Sequence, residues 1–417
     1  CGTLITMCAR WMCLGILILA VILGQPIVEA ASPAAVFGTG GAVSSAEADA
    51  STAGVDVLRA GGNAADAAVA TALALAVVHP QAGNLGGGGF AVIRFEGEVT
   101  TLDFRETAPR AATRDMYLGD DGMPVGEASW IGPLAAGVPG SPTGLYDLHA
   151  RFGRLPWPKV VAPAIRLAAE GFVVSARLAR DIAEESELLA RFPPSADVWL
   201  VDGVPPIRGS RMVLPELAAT LTAYSRVGPD AIVRGRIATA LEKASRQHGG
   251  ILTAADLAAY RSVWRRPIVV ESYGWRLASM PLPSSGGIIL GQTLGILERS
   301  GWSGFPRFGA DRFHLLAEAW RRAFADRFLL GDPSATRATA AQLLATDWLN
   351  TRAGQIRIRR ATPSKKVRPR SDFSVSESAE TTHLSVVDGD GNAVSLTTTL
   401  NGWFGCGLLV EGAGFFL

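Results

Sequence analysis

The sequence predicts an α+β fold, with helices and antiparallel strands gathered into separate stretches of chain. Three observations carry that expectation. Two Ala-rich helical segments precede a pair of short β-like runs, a long middle region reads as helix, and a β-rich hairpin lies near the end. The composition permits it: 48% of the 417 residues are hydrophobic and 18% charged, enough for a large core and far from the disordered range. At about 150 residues per domain, the chain forms two domains or one large layered unit. A net charge of +1 excludes a nucleic-acid binder that works by gross positive charge.

From the N-terminus, Trp11 to Gly24 is an apolar run behind Arg10, shorter than the roughly 20 residues a bilayer crossing needs. With Val28-Glu29-Ala30 ahead of Ala31, the pattern is that of a signal peptide cleaved after Ala30, so export to the periplasm or the extracellular space is expected. Position 1 is Cys, and Met7 is the expected start. Of the four cysteines only Cys406 lies beyond that segment, so the mature protein is expected to make no internal disulfide.

Ser45 to Ala60 and Ala64 to Val78 read as two small-residue helices, interrupted by Gly61-Gly62-Asn63 and suited to a layer over a sheet. Gln81 to Gly89 is a glycine loop. Phe90 to Phe95 and Val99 to Arg105 read as strands joined through Glu96-Gly97-Glu98. Residues 145 to 345 are mostly helical in pattern, as in Trp157 to Glu170, Pro215 to Tyr224 and Arg312 to Phe328; Pro281 to Gly287 is a loop. Arg357 to Arg370 is basic and reads as a solvated loop, and Ser371 to Glu380 is polar without periodicity. Thr382 to Val387 and Ala393 to Leu400 flank Asp388-Gly389-Asp390-Gly391-Asn392, a strong hairpin signal.

Chemistry is narrowed first by exclusion. Gly86 to Gly89 is followed by a strand, with neither the Lys-Ser/Thr nor the helix N-terminus of a phosphate cradle. Its glycines instead suit tight or left-handed backbone, or close approach to a ligand. The five histidines show no metal-ligand spacing, so no metal and no cofactor are expected, and a Gly-x-Ser-x-Gly elbow is absent. With Asp390-Gly391 as the two central turn residues, Thr381 falls opposite Leu400 and Thr382 opposite Thr399, within one register step. Threonine is an ordinary strand residue. Yet cleavage before Thr381 would give it an α-amine, a group that ordinarily titrates at about 7.7–8.0 and can act as base for its own hydroxyl.

Five stretches in order now carry a resemblance: Gly61 to Ala68, Gly86 to Phe90, Asp103-Phe104-Arg105-Glu106-Thr107-Ala108-Pro109, Pro283 to Gly287, and Thr381-Thr382-His383. From about Gly38 to Leu417 the chain resembles the γ-glutamyltransferase (glutathione hydrolase) family. The resemblance implies an N-terminal-nucleophile hydrolase with an αββα sandwich, two antiparallel sheets between helical layers, made as a precursor that splits itself into large and small subunits. On that implication residues 31–380 are large-subunit region and 381–417 the start of the small subunit, the two forming a heterodimer after cleavage.

It further implies cleavage of γ-glutamyl amides such as glutathione, with the glutamyl group passed to water, an amino acid or a peptide. Carried over by position, Glu380–Thr381 is the cleavage site, and Thr381 is the nucleophile with Thr399 beside it. Arg105 binds the substrate α-carboxylate, a task suited to a two-pronged guanidinium on a strand base. Asn401 sits by the glutamyl amino group. The family continues beyond the residues matching Gly414 to Leu417 with an Asn-Asn and Asp-Asp stretch, a serine pair and a glycine pair, so a truncated small subunit and an incomplete site are expected here. Pro281-Leu282-Pro283 replaces the family's triple proline. The alternatives are a glutaryl- or cephalosporin-type acylase of the same fold, and a catalytically silent exported fragment.

Overall fold

The computed structural model describes residues 37–369 and 380–417. The expected signal segment and nearly all of the polar stretch before Thr381 lie outside those residues. The chain divides into two units, Cys1–Thr39 and Gly40–Leu417, and every element below belongs to the second. Among the described residues no helix is long and apolar enough to cross a membrane.

One six-stranded antiparallel sheet organises that unit. Its strands are β1 (Gly41–Ser44), β2 (Gly88–Phe95), β3 (Glu98–Asp103), β6 (Val263–Arg265), β9 (Thr381–Asp388) and β10 (Ala393–Thr399), in the order β1-β9-β10-β2-β3-β6. Two small ladders stand apart: β4 (Phe172–Val173) with β5 (Arg211–Met212), and β7 (Ile268–Ser272) with β8 (Trp275–Ser279). The expectation of an α+β fold with an antiparallel sheet against helices is met. One large sheet of the expected sandwich is present among the described residues.

The helical layer begins with α1 (Ala48–Arg59) and α2 (Ala64–Val78). Helix α2 is buried along its whole length and packs on β9 and β10 from one side and on α1 and α4 (Trp157–Glu170) from others. Its Ala-rich sequence is the cause, since small side chains let four neighbours approach one axis. Gly54 of α1 shows how close: a Cβ there would collide with the Thr71 hydroxyl. Asn63 caps α2, accepting from the Ala65 and Asp66 N–H groups, while the Asp66 carboxylate returns to the Asn63 N–H. Asp66 also takes the N–H groups of Arg154 and Leu155, which follow α3 (Ser141–Phe152). One buried carboxylate thus ties two helix-bearing segments together.

Strand β9 alternates strictly. Thr382, Leu384, Val386 and Asp388 are buried towards the helices, and Thr381, His383, Ser385 and Val387 are exposed on the other face. The remaining helices include α5 (Pro215–Val227), α6 (Gly286–Arg299) and α7 (Ala310–Asp326). Helices α6 and α7 are joined through Asp326, which forms a buried ion pair with Arg352 and accepts from Gln292 and Trp348.

Candidate active site

The β9–β10 turn sets the geometry of everything above it. Asp388 Oδ1 accepts the N–H groups of Asp390 and Asn392, and Gly391 adopts φ 81°. The loop therefore holds three residues, Gly389 to Gly391, rather than the two-residue turn expected from Asp390-Gly391. That extra residue shifts the register by one. Thr381 lies directly opposite Thr399, and Thr382 opposite Thr398. Because side chains alternate faces, the shift puts the two threonines on the same face instead of opposite ones.

Thr381 Oγ1 donates to Thr399 Oγ1 across 3.3 Å. The same Thr399 oxygen accepts the Asn401 N–H at 2.9 Å and is 3.5 Å from the Glu380 carbonyl oxygen. Asn401 leaves the strand at φ 75°, in the left-handed region that Asn tolerates better than most residues. Two residues on, the Trp403 N–H binds the Glu380 carboxylate at 2.8 Å. The peptide unit before Thr381 is thus gripped from β10 and the turn that follows it.

His383, two residues beyond Thr381, is otherwise engaged. Its Nδ1 contacts the Thr397 hydroxyl at 2.8 Å, and its Nε2 the Ser395 and Ser385 hydroxyls at 3.1 and 3.3 Å. Burial lowers its pKa. The imidazole belongs to a hydroxyl network further along the sheet face.

Arg105 stands two residues past β3, not on the strand itself. Backbone bonds between Phe104 and Gly89 extend the ladder to its doorstep, and the Tyr260 hydroxyl donates to the Arg105 carbonyl at 2.8 Å. Its guanidinium is exposed and lies 5.8 Å from the Phe90 ring centre. Arg105, Thr399 and Asn401 line one cavity of about 480 Å³, together with Glu106 and Gly402. Thr381 lines a second cavity, of about 440 Å³, with His79, Thr382, His383 and Trp403. The threonine pair bridges the two. A third cavity brings Arg105 to Pro283, Ser284, Ser285 and Arg327, where the Arg327 Nε donates to Ser285. Burial, with the like charge of Arg105, lowers the pKa of Arg327.

Glu106 is a site-lining residue to which the sequence pattern assigns no role. Burial raises its carboxyl pKa despite the opposing effect of nearby N–H groups and Arg105. Its one sequence signal is its place between Arg105 and Thr107 in a motif already singled out.

The glycine loop serves backbone approach rather than left-handed turns, since none of Gly86 to Gly89 has a positive φ. A Cβ would collide with the Phe416 carbonyl at Gly86, the Thr399 carbonyl at Gly87 and the Thr397 carbonyl at Gly89. The loop lets β10 and the final residues press against β2, which fixes the wall of the Arg105 cavity.

The arrangement offers a hydroxyl at a strand start, a second hydroxyl polarising it, and a cation in the adjoining cavity suited to a carboxylate. Comparison with known proteins bears on the family. The gamma-glutamyltranspeptidase family model matches residues 50–417. The chain is 43% identical over 380 residues to the glutathione hydrolase proenzyme of Escherichia coli, covering 90% of this chain and 65% of that protein. It is 42% identical over 395 residues to the glutathione hydrolase proenzyme of Pseudomonas aeruginosa, covering 94% and 69%. It thus spans about two thirds of the length of these relatives. Among solved structures, Helicobacter pylori gamma-glutamyltranspeptidase superposes with a TM-score of 0.78 at 37% identity, covering 81% of this chain and 97% of that one. A cephalosporin acylase from Bacillus halodurans gives 0.80 at 27% identity, covering 94% and 72%. On sequence and fold together, the chain belongs to the gamma-glutamyltranspeptidase family.

Proposed function

We propose that this chain is the greater part of a self-processing enzyme that cleaves γ-glutamyl amide bonds, glutathione among them, and passes the glutamyl group to water, an amino acid or a peptide. The observation that carries the reading is the Thr381–Thr399 hydroxyl contact at 3.3 Å, with Thr399 sharing a cavity with Arg105. Thr381 attacks the carbonyl before it, the chain opens between Glu380 and Thr381, and the freed α-amine becomes the base for the same hydroxyl. Arg105 holds the glutamyl α-carboxylate and Asn401 lies by the amino group. The two products stay together as a large and a small subunit. The acylase reading is the weaker one, because Arg105 suits a substrate with an α-carboxylate.

Export is part of the proposal, supported by the Arg10 to Ala31 pattern alone. The test is expression of the full-length protein, N-terminal sequencing of its smaller fragment, and release of 4-nitroaniline from γ-glutamyl-4-nitroanilide. A fragment starting anywhere but Thr381, or glutaryl amides cleaved far better than γ-glutamyl ones, sinks it.

A further inference from the structure

Helix α7 carries an aromatic stripe that the site described above does not use. Phe313, Ala317, Trp320 and Phe324 are all exposed, the three aromatics at 59%, 50% and 44%. Their spacing stacks them on one face of the helix, over a length of about 16 Å. Phe308, in the turn just before the helix, is 81% exposed. Single exposed apolar residues are ordinary, but four aromatics grouped in this way mark an interaction surface. The flank beside the stripe is basic. Residues 355–364 run along α7, held by His314 Nε2 at the Arg357 carbonyl, by Arg322 at the Gln355 carbonyl and by Arg321 at the Ser364 hydroxyl. Glu318 accepts from the Thr362 N–H and hydroxyl between them. Arg357, Arg359, Arg360, Lys365, Lys366 and Arg368 are exposed along this segment. The sequence from Trp348 to Ser371 contains no Asp or Glu. The ion pairs here join Arg321 and Arg322 to Glu318, and Arg352 to Asp326, so they take up none of those six cations. Of the acids on α7, Glu318 and Asp326 are buried and only Asp311 is exposed. A chain of net charge +1 thus concentrates positive charge on one strip, alongside a row of aromatic rings.

We propose that this face rests on the surface of an anionic phospholipid bilayer, with the α7 aromatics at headgroup depth and the cations of 357–368 against the phosphates. The cations alone would draw any polyanion, and the aromatic row decides between them. Trp and Phe rings on one face of a helix, next to Lys and Arg, are suited to the boundary between headgroups and acyl chains. There the rings leave water, while the long basic side chains reach up to the charged lipid surface. A nucleic acid would use the charge but has no apolar layer for a helix face to enter. Attachment of this kind is peripheral, since only one face of the helix meets the lipid.

The test is sedimentation of the full-length protein with vesicles of phosphatidylcholine alone and of phosphatidylcholine mixed equally with phosphatidylglycerol. Binding is expected to the mixed vesicles only, and it should weaken as added salt screens the charges. Lys365→Glu with Lys366→Glu should cut the affinity about 10- to 100-fold, because each cation near the lipid surface contributes. Trp320→Ser with Phe324→Ser should cut it at least about 10-fold. Trp275→Ser, which removes a 75% exposed aromatic on β8, should leave it unchanged. Phe308→Ser with Phe313→Ser gives the same reading if the first aromatic pair does not fold. Failure of the wild type to sediment with the mixed vesicles overturns the proposal, the face then being covered by further chain or a second copy. Equal binding to both kinds of vesicle overturns it as well. So does a loss confined to the charge variant, with the aromatic variants binding like wild type, which is the signature of a plain polyanion site.

Discussion

Thr381 and Thr399 face each other directly across the β9–β10 ladder, hydroxyl to hydroxyl at 3.3 Å, and Thr399 in turn touches the carbonyl of Glu380. If Thr381 is the nucleophile, as proposed, Thr399 is placed to orient the attacking oxygen. In the full-length protein, Thr399→Val should slow self-cleavage by at least about 10-fold, one lost oriented hydrogen bond, and Thr399→Ser should restore most of the rate. Gel densitometry of precursor against time reads both. Equal rates in the Val and Ser variants would leave the hydroxyl without a role.

Arg105 is exposed, and in the proposed function its guanidinium carries the recognition. Arg105→Lys keeps the charge and loses the fork. Processed enzyme should then show a KM for γ-glutamyl-4-nitroanilide raised about 10- to 100-fold, the low end of what a lost charged contact costs. The analogue lacking the α-carboxylate, γ-aminobutyryl-4-nitroanilide, should be hydrolysed alike by both proteins. Parallel losses on the two substrates would make Arg105 a structural residue.

Asp388 is a structural anchor of the same hairpin. It accepts from the Ala64 N–H at the start of α2, and from Asp390 and both nitrogens of Asn392. Burial alone would raise its pKa, but these bonds prevail and lower it. Asp388→Ala leaves several buried donors unpaired and should destabilise the fold by about 3 kcal/mol, read from denaturant midpoints. Its stabilising effect is present above the ordinary carboxylate pKa and fades as pH drops through the lowered native value.

His79 gives a different pH signature. Its native pKa is about 4 and that of an unfolded histidine about 6.5, so between those values only the unfolded chain takes up the proton. Stability is complete above about pH 6.5 and falls as the solution is acidified towards pH 4, by up to about 3 kcal/mol. Glu47, whose pKa burial raises, acts in the opposite direction by binding its proton more readily when folded. The difference between wild type and His79→Gln isolates the histidine. Parallel stability curves for the two from about pH 7 to about pH 4.5 would contradict the assignment.

Much of the fold is legible in the sequence because its signals are local. Helix α2 runs over the expected Ala64–Val78 because Asn63 caps it and His79-Pro80 follows it, and α4 matches Trp157–Glu170 between Pro156 and Gly171. The hairpin is legible as a hairpin, but its register differs by one from the expected pairing. Asp388 side-chain bonds select a three-residue loop over the two-residue turn that Asp390-Gly391 suggests. The β-like pattern runs on to Arg105, whereas the strand ends at Asp103. The His79 cavity cannot be read from sequence at all, since Ser44, Arg177, Thr382 and Trp403 meet it from four distant stretches of chain. Glu106 is visible only as a neighbour, because its raised pKa comes from the burial that folding imposes, against the opposing effect of Gly88 and Arg105.

The position of β9 and β10 between β1 and β2 has a consequence for order of events. A chain opened before Thr381 would be a splice held by two seams, one to Gly41–Ser44 and one to Gly88–Arg94. Neither piece could slip out sideways, so dilution would not part them. Once melted, however, the pieces would have to find each other in solution, whereas the uncut chain carries its own partner strand along. On the proposed cleavage, folding is expected to come first and scission second. A protein unfolded after the cut should recover its sheet in proportion to concentration, while one unfolded before it should not depend on concentration at all.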